Sequence, residues 1–361
     1  MSRQVNFAAG PSTLPYDVLL EAQAEFVDYH GGGVSLIEMS HRSPEYEAVQ
    51  GSALELAKEL LGVPEDFDAL VLQGGATLQF AMVPMNLLHG GASGAYVDSG
   101  SWASKAMADA SHHGESYAAW SGADGGYTAM PSPDEVEVRP GTRYLHVTSN
   151  ETIGGIQMTQ WPDVEVPLVG DMSSDYMSRT IPWDRFDIVY GGAQKNMGPA
   201  GATLVFVRRS ILDETNRDLA SYLRYDIHAA KGSMYNTPPV FAIYMMSRVL
   251  EWVKAQGGLP AMEERAATRS ALVYGAIDAS DGYYRSPVDA ASRSKMNVVF
   301  RLSSEELEAQ FVSEASEAGM ANLKGHRDVG GIRASLYNAM PIEGVELLAE
   351  FMSDFRRANA E

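Results

Sequence analysis

The chain has 361 residues, 45% hydrophobic and 20% charged, which is enough to bury a large core in two domains and too apolar for a disordered chain. A formal net charge of −20 argues against nucleic acid as a partner, because a phosphate backbone needs a basic face. Cysteine is absent, so disulfides, thiolate catalysis and cysteine metal sites are excluded, and no metal is expected.

The first residues, Met1 to Phe7, lack the apolar core of a secretory signal, so the expected compartment is the cytoplasm. Glu45 to Leu61 reads as a helix with Val49, Ala53, Leu56 and Leu60 on one face, ended by Gly62 and Pro64. Ala69 to Val97 contains no Asp, Glu, Lys or Arg. Gly74-Gly75, Gln79, Pro84, Asn86 and His89 interrupt it, so it reads as strand, turn, buried helix and strand, and no membrane span is expected. Further strands are predicted at 94–97, 143–148, 164–169 (running on to Asp171) and 186–190, with a helix after Trp102. This alternation predicts an α/β fold, a mostly parallel sheet with helices on both faces. Ala202 to Val207 follows Lys195 after only six residues, too few for a parallel crossover, so this strand should run antiparallel to the one before it. A helix from about Pro239 to Lys254 closes at Gly257-Gly258. Beyond it, a strand at 295–301, a helix at 304–319, a strand at 331–336 and a helix at 343–357 predict a smaller C-terminal α+β domain. The expected division is a large domain at 15–257 and a small one at 258–361, joined by the N-terminal segment 1–14.

Lys195 lies in the glycine-rich turn Gly191-Gly192-Ala193-Gln194-Lys195-Asn196, and Asp171 closes another apolar run 24 positions earlier. A lysine amine forms a Schiff base with the aldehyde of pyridoxal phosphate, and a carboxylate pairs with its ring nitrogen. Gly74 to Phe80 joins a strand to a helix, a place that suits a phosphate and equally a plain turn. Trp102 could stack on a flat cofactor or sit in the core. Thr237, before Pro238-Pro239, reads as a phosphate ligand or a helix cap. Two basic clusters, His41-Arg42 and His326-Arg327, together with Arg333, read as anion-binding groups or as surface charge.

In order along the chain, Asn6-Phe-Ala-Ala-Gly-Pro-Ser12, Ser40-His-Arg42, Gln73-Gly-Gly-Ala76, Thr148-Ser-Asn-Glu-Thr-Ile-Gly-Gly155, Gly192-Ala-Gln-Lys-Asn196, Tyr235-Asn-Thr-Pro-Pro239, Gly325-His-Arg327 and Arg333 to Pro341 resemble the phosphoserine aminotransferases. The resemblance spans nearly the whole chain. It implies a fold-type I pyridoxal-phosphate (PLP) transferase architecture, a homodimer with shared active sites, and transamination between glutamate and 3-phosphohydroxypyruvate in serine biosynthesis. A second role in pyridoxine biosynthesis is left open. It also implies residue roles. Lys195 carries the cofactor, Asp171 pairs with its ring nitrogen, Trp102 stacks on the ring and Thr152 binds near the ring oxygen. Ala76, Thr77 and Gln194 hold the cofactor phosphate, helped by Asn236 and Thr237 from the partner. Arg333 takes the substrate α-carboxylate, and His326 and Arg327, with the partner's His41 and Arg42, take the substrate phosphate or side-chain carboxylate. Two departures stand out: Thr77 occupies a position where some members carry arginine, and Asp328 places a carboxylate next to the basic pair. The alternative is another class-V aminotransferase, such as the alanine–glyoxylate type. A nucleotide-binding oxidoreductase is disfavoured, since no Gly-x-Gly-x-x-Gly turn follows an early strand.

Overall fold

The computed structural model describes residues 3–359. Its strands are β1 (Val5–Asn6), β2 (Phe67–Leu72), β3 (Ser93–Asp98), β4 (Glu115–Ser121), β5 (Thr142–Thr148), β6 (Asn150–Glu151), β7 (Ile156–Gln157), β8 (Leu168–Asp171), β9 (Ile188–Gly192), β10 (Thr203–Arg208), β11 (Asn297–Phe300), β12 (Met320–Ala321) and β13 (Ile332–Ser335). Its α-helices are α1 (Tyr16–Glu25), α2 (Pro44–Leu61), α3 (Gly75–Leu87), α4 (Ser101–Ala110), α5 (Arg209–Asp213), α6 (Tyr225–Ala230), α7 (Val240–Ala255), α8 (Gly258–Asp278), α9 (Glu305–Glu317) and α10 (Ile342–Asn359).

A seven-stranded sheet in the order β2-β10-β9-β8-β5-β3-β4 forms the frame. Neighbouring strands are parallel except at β10, which runs antiparallel to both β2 and β9. The short link after Lys195 leaves no room for a crossover, and the chain turns straight back, as its length predicts. Alternation along the strands divides the core. Leu204, Phe206, Val189 and Leu168 face Ala53, Ala57 and Leu61 of α2 and Ile243, Met246 and Leu250 of α7. Val205, Val207, Ile188 and Val169 face the other way, against Phe80, Met82 and Val83 of α3 and Ala106 and Ala110 of α4. A second layer pairs β11 with β13 antiparallel and packs Val298, Phe300, Ile332 and Ala334 against Val273 and Ile277 of α8, Phe311 of α9, and Leu348, Met352 and Phe355 of α10. The N-terminal Phe7 joins this layer, and β1 pairs parallel with β12.

Three expectations need correction. The buried stripe of α2 is Tyr46, Val49, Ala53, Ala57 and Leu61, with Leu56 and Leu60 only partly buried at its border. The strand expected from Val164 begins at Leu168, because Pro167 has no N–H to pair and contributes only its carbonyl, to Leu145 N. The chain after Gly257 continues directly into α8, where the sequence pattern predicts no element. Its stripe of Leu259, Met262, Ala266, Val273 and Ile277 is interrupted by Arg269, a charged residue only 2% exposed whose Nη1 donates to the carbonyls of Tyr337, Asn338 and Met340. Strand β4 and helix α1 are likewise not expected from the sequence.

Candidate active site

Asp171 ends β8 in register with Thr148 of β5 and Tyr190 of β9, so the functional residues gather where the parallel strands end. A cavity of about 420 Å³ opens there, lined among others by Gly74, Gly75, Ala76, Thr77, Trp102, Thr148, Thr152, Asp171, Gln194, Lys195, His326 and Arg333. Nine of the fourteen residues expected at the site line this one cavity, although they come from seven separate stretches of sequence.

Lys195 Nζ donates to Thr152 Oγ1 at 3.1 Å and lies 5.7 Å from the centre of the Trp102 ring. Its carbonyl accepts from Ser12 Oγ, and Ser12 N donates to Gln194 O at 2.9 Å, so the N-terminal segment clamps the lysine turn. Burial lowers the lysine amine from its usual range, opposed by the charges of Asp171 and Glu151. Burial raises Asp171, opposed by Ser173 and by Lys195. Asp171 Oδ1 accepts from Ser173 N at 2.9 Å and Ser173 Oγ at 2.6 Å, while Oδ2 has no partner among the described residues. Gln194 occupies the space that a side chain on Gly192 would fill: an added Cβ there would overlap Gln194 Oε1.

Helix α3 starts at this cavity from Gly74, which has φ 87°, and no side chain caps it. A Cβ on Gly74 would lie 2.6 Å from Leu78 Cβ, so only glycine allows this turn. The first-turn N–H groups of α3 thus offer an open anion seat beside Ala76 and Thr77. Arg333, half-buried, points away from the core while its neighbours Ile332 and Ala334 are fully buried, and its Nη1 donates to Thr152 O at 3.3 Å. Burial lowers its guanidinium from the usual arginine range.

Pyridoxal phosphate, the group implied by the sequence resemblance, fits these residues. Two polar atoms on lining residues, Trp102 Nε1 and Thr148 Oγ1, are buried without a partner among the described residues. An unpartnered carboxylate oxygen, an amine and an uncapped helix start complete a donor set suited to a flat, phosphorylated, nitrogen-containing ring.

The remaining expected residues lie elsewhere. Arg327 is 91% exposed at its side chain and does not line the cavity. Asp328 is turned toward the basic pair, with Oδ1 3.6 Å from Arg327 Nε and Oδ2 3.3 Å from His326 Nδ1. His41, Arg42, Asn236 and Thr237 do not line the cavity of their own chain, and Arg42 and Thr237 are exposed. The sequence reading gave no role to Ser173, Thr148 or Glu151. Ser173 could have been noticed as a hydroxyl two positions after Asp171, the spacing of a local side-chain turn. Thr148 and Glu151 carried no signal beyond membership of a shared block.

The fold matches that of the aminotransferases, and the model of the aminotransferase class-V family matches residues 4–348. The phosphoserine aminotransferase of Geobacillus kaustophilus is 50% identical over 357 residues, 99% of each chain. Among solved structures, the phosphoserine aminotransferase of Bacillus circulans subsp. alkalophilus superposes with a TM-score of 0.97 at 48% identity, covering 99% of both chains. That of Trichomonas vaginalis, which is bound to PLP, superposes at 0.93 with 34% identity, covering 97% of this chain and all of its own. The chain belongs to the class-V aminotransferases and, within them, to the phosphoserine aminotransferase family.

Proposed function

We propose that the chain transfers an amino group from glutamate to 3-phosphohydroxypyruvate, giving 2-oxoglutarate and O-phosphoserine, with pyridoxal phosphate held in the cavity. The observation that carries this reading is the convergence of Lys195, Asp171 and Trp102 on one cavity whose wall also holds Arg333 and His326. When bound, the cofactor supplies an aldehyde for the amino group and a ring that takes up the electron pair at Cα. Lys195, its amine lowered by burial, is placed to act as the general base that would accept a proton from the substrate Cα. Asp171, whose Oδ1 is held by Ser173, would offer its other oxygen to the ring nitrogen and keep it protonated. Trp102 forms the wall against the ring, and Thr152 orients both the lysine amine and Arg333. Ala76, Thr77 and Gln194 hold the cofactor phosphate at the start of α3. Arg333 binds the substrate α-carboxylate, and His326 and Arg327 meet the distal anion.

The working unit in this reading is a homodimer in the cytoplasm, with Asn236, Thr237, His41 and Arg42 reaching the neighbour's site. Among the described residues no helix is long and apolar enough to cross a membrane. Exposed apolar residues Tyr16, Leu20, Phe26, Val27, Val34 and Ile37 crowd one stretch of chain, and Tyr235 adjoins Asn236, which supports a covered face there.

The test compares kcat/KM for O-phosphoserine, glutamate and alanine. Arg333→Ala should impair all three, on the order of 10- to 150-fold, because each carries the α-carboxylate. Arg327→Ala should impair only the two donors with a second anion. Equal losses for O-phosphoserine and alanine in Arg327→Ala would overturn the assignment of the distal anion site.

A further inference from the structure

Glu151 is 1% exposed and is not among the residues that line the cavity. It sits on β6, which pairs antiparallel with β7, and its carboxylate crosses to the start of α4. Oε1 accepts from Ala103 N at 2.8 Å and Oε2 from Trp102 N at 3.1 Å. Helix α4 has no cap of its own, since the residue before it is Gly100. That glycine also makes the space: a Cβ on Gly100 would lie 2.8 Å from Glu151 Cδ. The carboxylate of Glu151 therefore replaces the missing cap from 48 residues away in the chain.

The next residue, Thr152, is the one that receives the Lys195 amine. One tight segment thus sets two walls of the site. Thr152 fixes the amine, and Glu151 fixes the first turn of the helix that carries Trp102.

We propose that Glu151 is a positioning residue for the cofactor: by holding the N–H groups of Trp102 and Ala103 it sets the placement of the Trp102 ring against the Lys195 amine. This rests on the reading of the cavity as the PLP site. Burial pushes the Glu151 acid up to about 7, with Asp171 adding to the push and the two N–H groups and Lys195 opposing it. A carboxyl kept in so unfavourable a place, with both oxygens engaged on one helix start, is consistent with a positioning role.

The test is a double-mutant cycle read by the equilibrium affinity of the apo full-length chain for pyridoxal phosphate. Glu151→Ala should weaken binding on the order of tenfold or more, since it removes charge-assisted hydrogen bonds. Glu151→Gln, which keeps one acceptor oxygen and nearly the same volume, should recover part of the loss. Trp102→Ala should also weaken binding. In the Trp102→Ala background the Glu151 substitutions should weaken it much less than in the parent chain, because the ring that Glu151 places is gone. Additive losses would overturn the proposal, and so would unchanged affinity in Glu151→Ala. If Glu151→Ala does not fold, the cycle is run with Glu151→Gln, which is read by the same criterion. The parent chain separates two failures. If it does not bind pyridoxal phosphate, the reading of the cavity falls and this proposal falls with it. If it binds and the Glu151 variants bind equally well, only this proposal falls.

Discussion

At the residue scale, His146 shows how the sheet floor below the cavity responds to acid. Its Nε2 pairs with Tyr190 OH at 2.7 Å, its Nδ1 is buried without a partner among the described residues, and the ring tilts against Tyr96 at 5.1 Å. Burial lowers the imidazole to about 3 from its usual 6.5. Above about pH 6.5 the folded and unfolded chains both hold it neutral. Below that, the unfolded chain binds a proton that the folded chain refuses, so stability falls as pH drops toward about 3. The slope from this one group approaches about 1.4 kcal/mol per pH unit in that window. His146→Gln keeps an amide near the Tyr190 hydroxyl and removes the titration. Its urea midpoint should therefore decline less steeply than the parent's between about pH 6.5 and about pH 4. Equal slopes would mean that the imidazole is not held neutral. The placement of Lys195 and Asp171 at the ends of neighbouring parallel strands was legible in the sequence because Asp171 closes one short apolar run and Lys195 follows another. His146, Glu151 and Arg269 were not, because what defines them is burial and partners brought from 44 to 71 residues away.

At the element scale, the loop that carries His326 hangs from a strut in the second layer. Glu308, buried on α9, accepts from Arg301 Nε at 2.6 Å, from Leu302 N at 3.2 Å and from Gly331 N at 3.1 Å. Arg301 Nη1 in turn donates to Val329 O at 2.8 Å, and Gly325 N closes the loop on Gly331 O at 2.8 Å. Gly331 has φ 73°, and a Cβ there would lie 2.5 Å from Arg301 Cδ, so the strut and the glycine require each other. Glu308→Ala leaves these donors unpaired, a cost of about 1–3 kcal/mol. Amide hydrogen exchange over Gly325–Gly331 should accelerate, and KM for O-phosphoserine should rise while alanine, which lacks the distal anion, is little affected. Unchanged exchange in the loop would mean that other contacts hold it. Several elements were legible because strands of the central sheet such as β3, β8 and β9 read as short apolar runs ended by aspartate or glycine. The antiparallel return of β10 followed from link length alone. Helix α8 is hidden because its stripe is crossed by a buried arginine, and β8 begins later than its apolar run because Pro167 offers a carbonyl but no N–H to the ladder.

At the scale of the whole molecule, we propose a division into a large domain, 15–257, and a small one, 258–361, to which 1–14 belongs. The pairing of β1 with β12 and the packing of Phe7 against Val298 and Phe300 support the assignment of the N-terminal segment. Helix α8 joins the two, with Leu259 in the sheet cluster and Val273 in the other. Each chain carries a net charge of −20, so two copies repel at long range. A dimer needs a compensating apolar face, which the exposed residues between Tyr16 and Ile37 can supply. The proposed dimer has a consequence that a self-contained monomeric site would not have. A Lys195→Ala chain lacks the amine, and an Asn236→Ala, Thr237→Ala chain lacks the predicted hold on the neighbour's cofactor phosphate. In a mixed dimer one site collects all the defects, and the other takes its lysine from the second chain and its Asn236 and Thr237 from the first, so it is intact. Random pairing of equal amounts makes about half of the dimers mixed, each with one good site of two, so about a quarter of parental activity should return. The chains must be mixed under conditions that let subunits exchange, and activity is read at limiting pyridoxal phosphate, where the second variant alone is weak. No activity beyond the sum of the separate variants, despite mixed dimers detected by mass, would place Asn236 and Thr237 outside the neighbour's site.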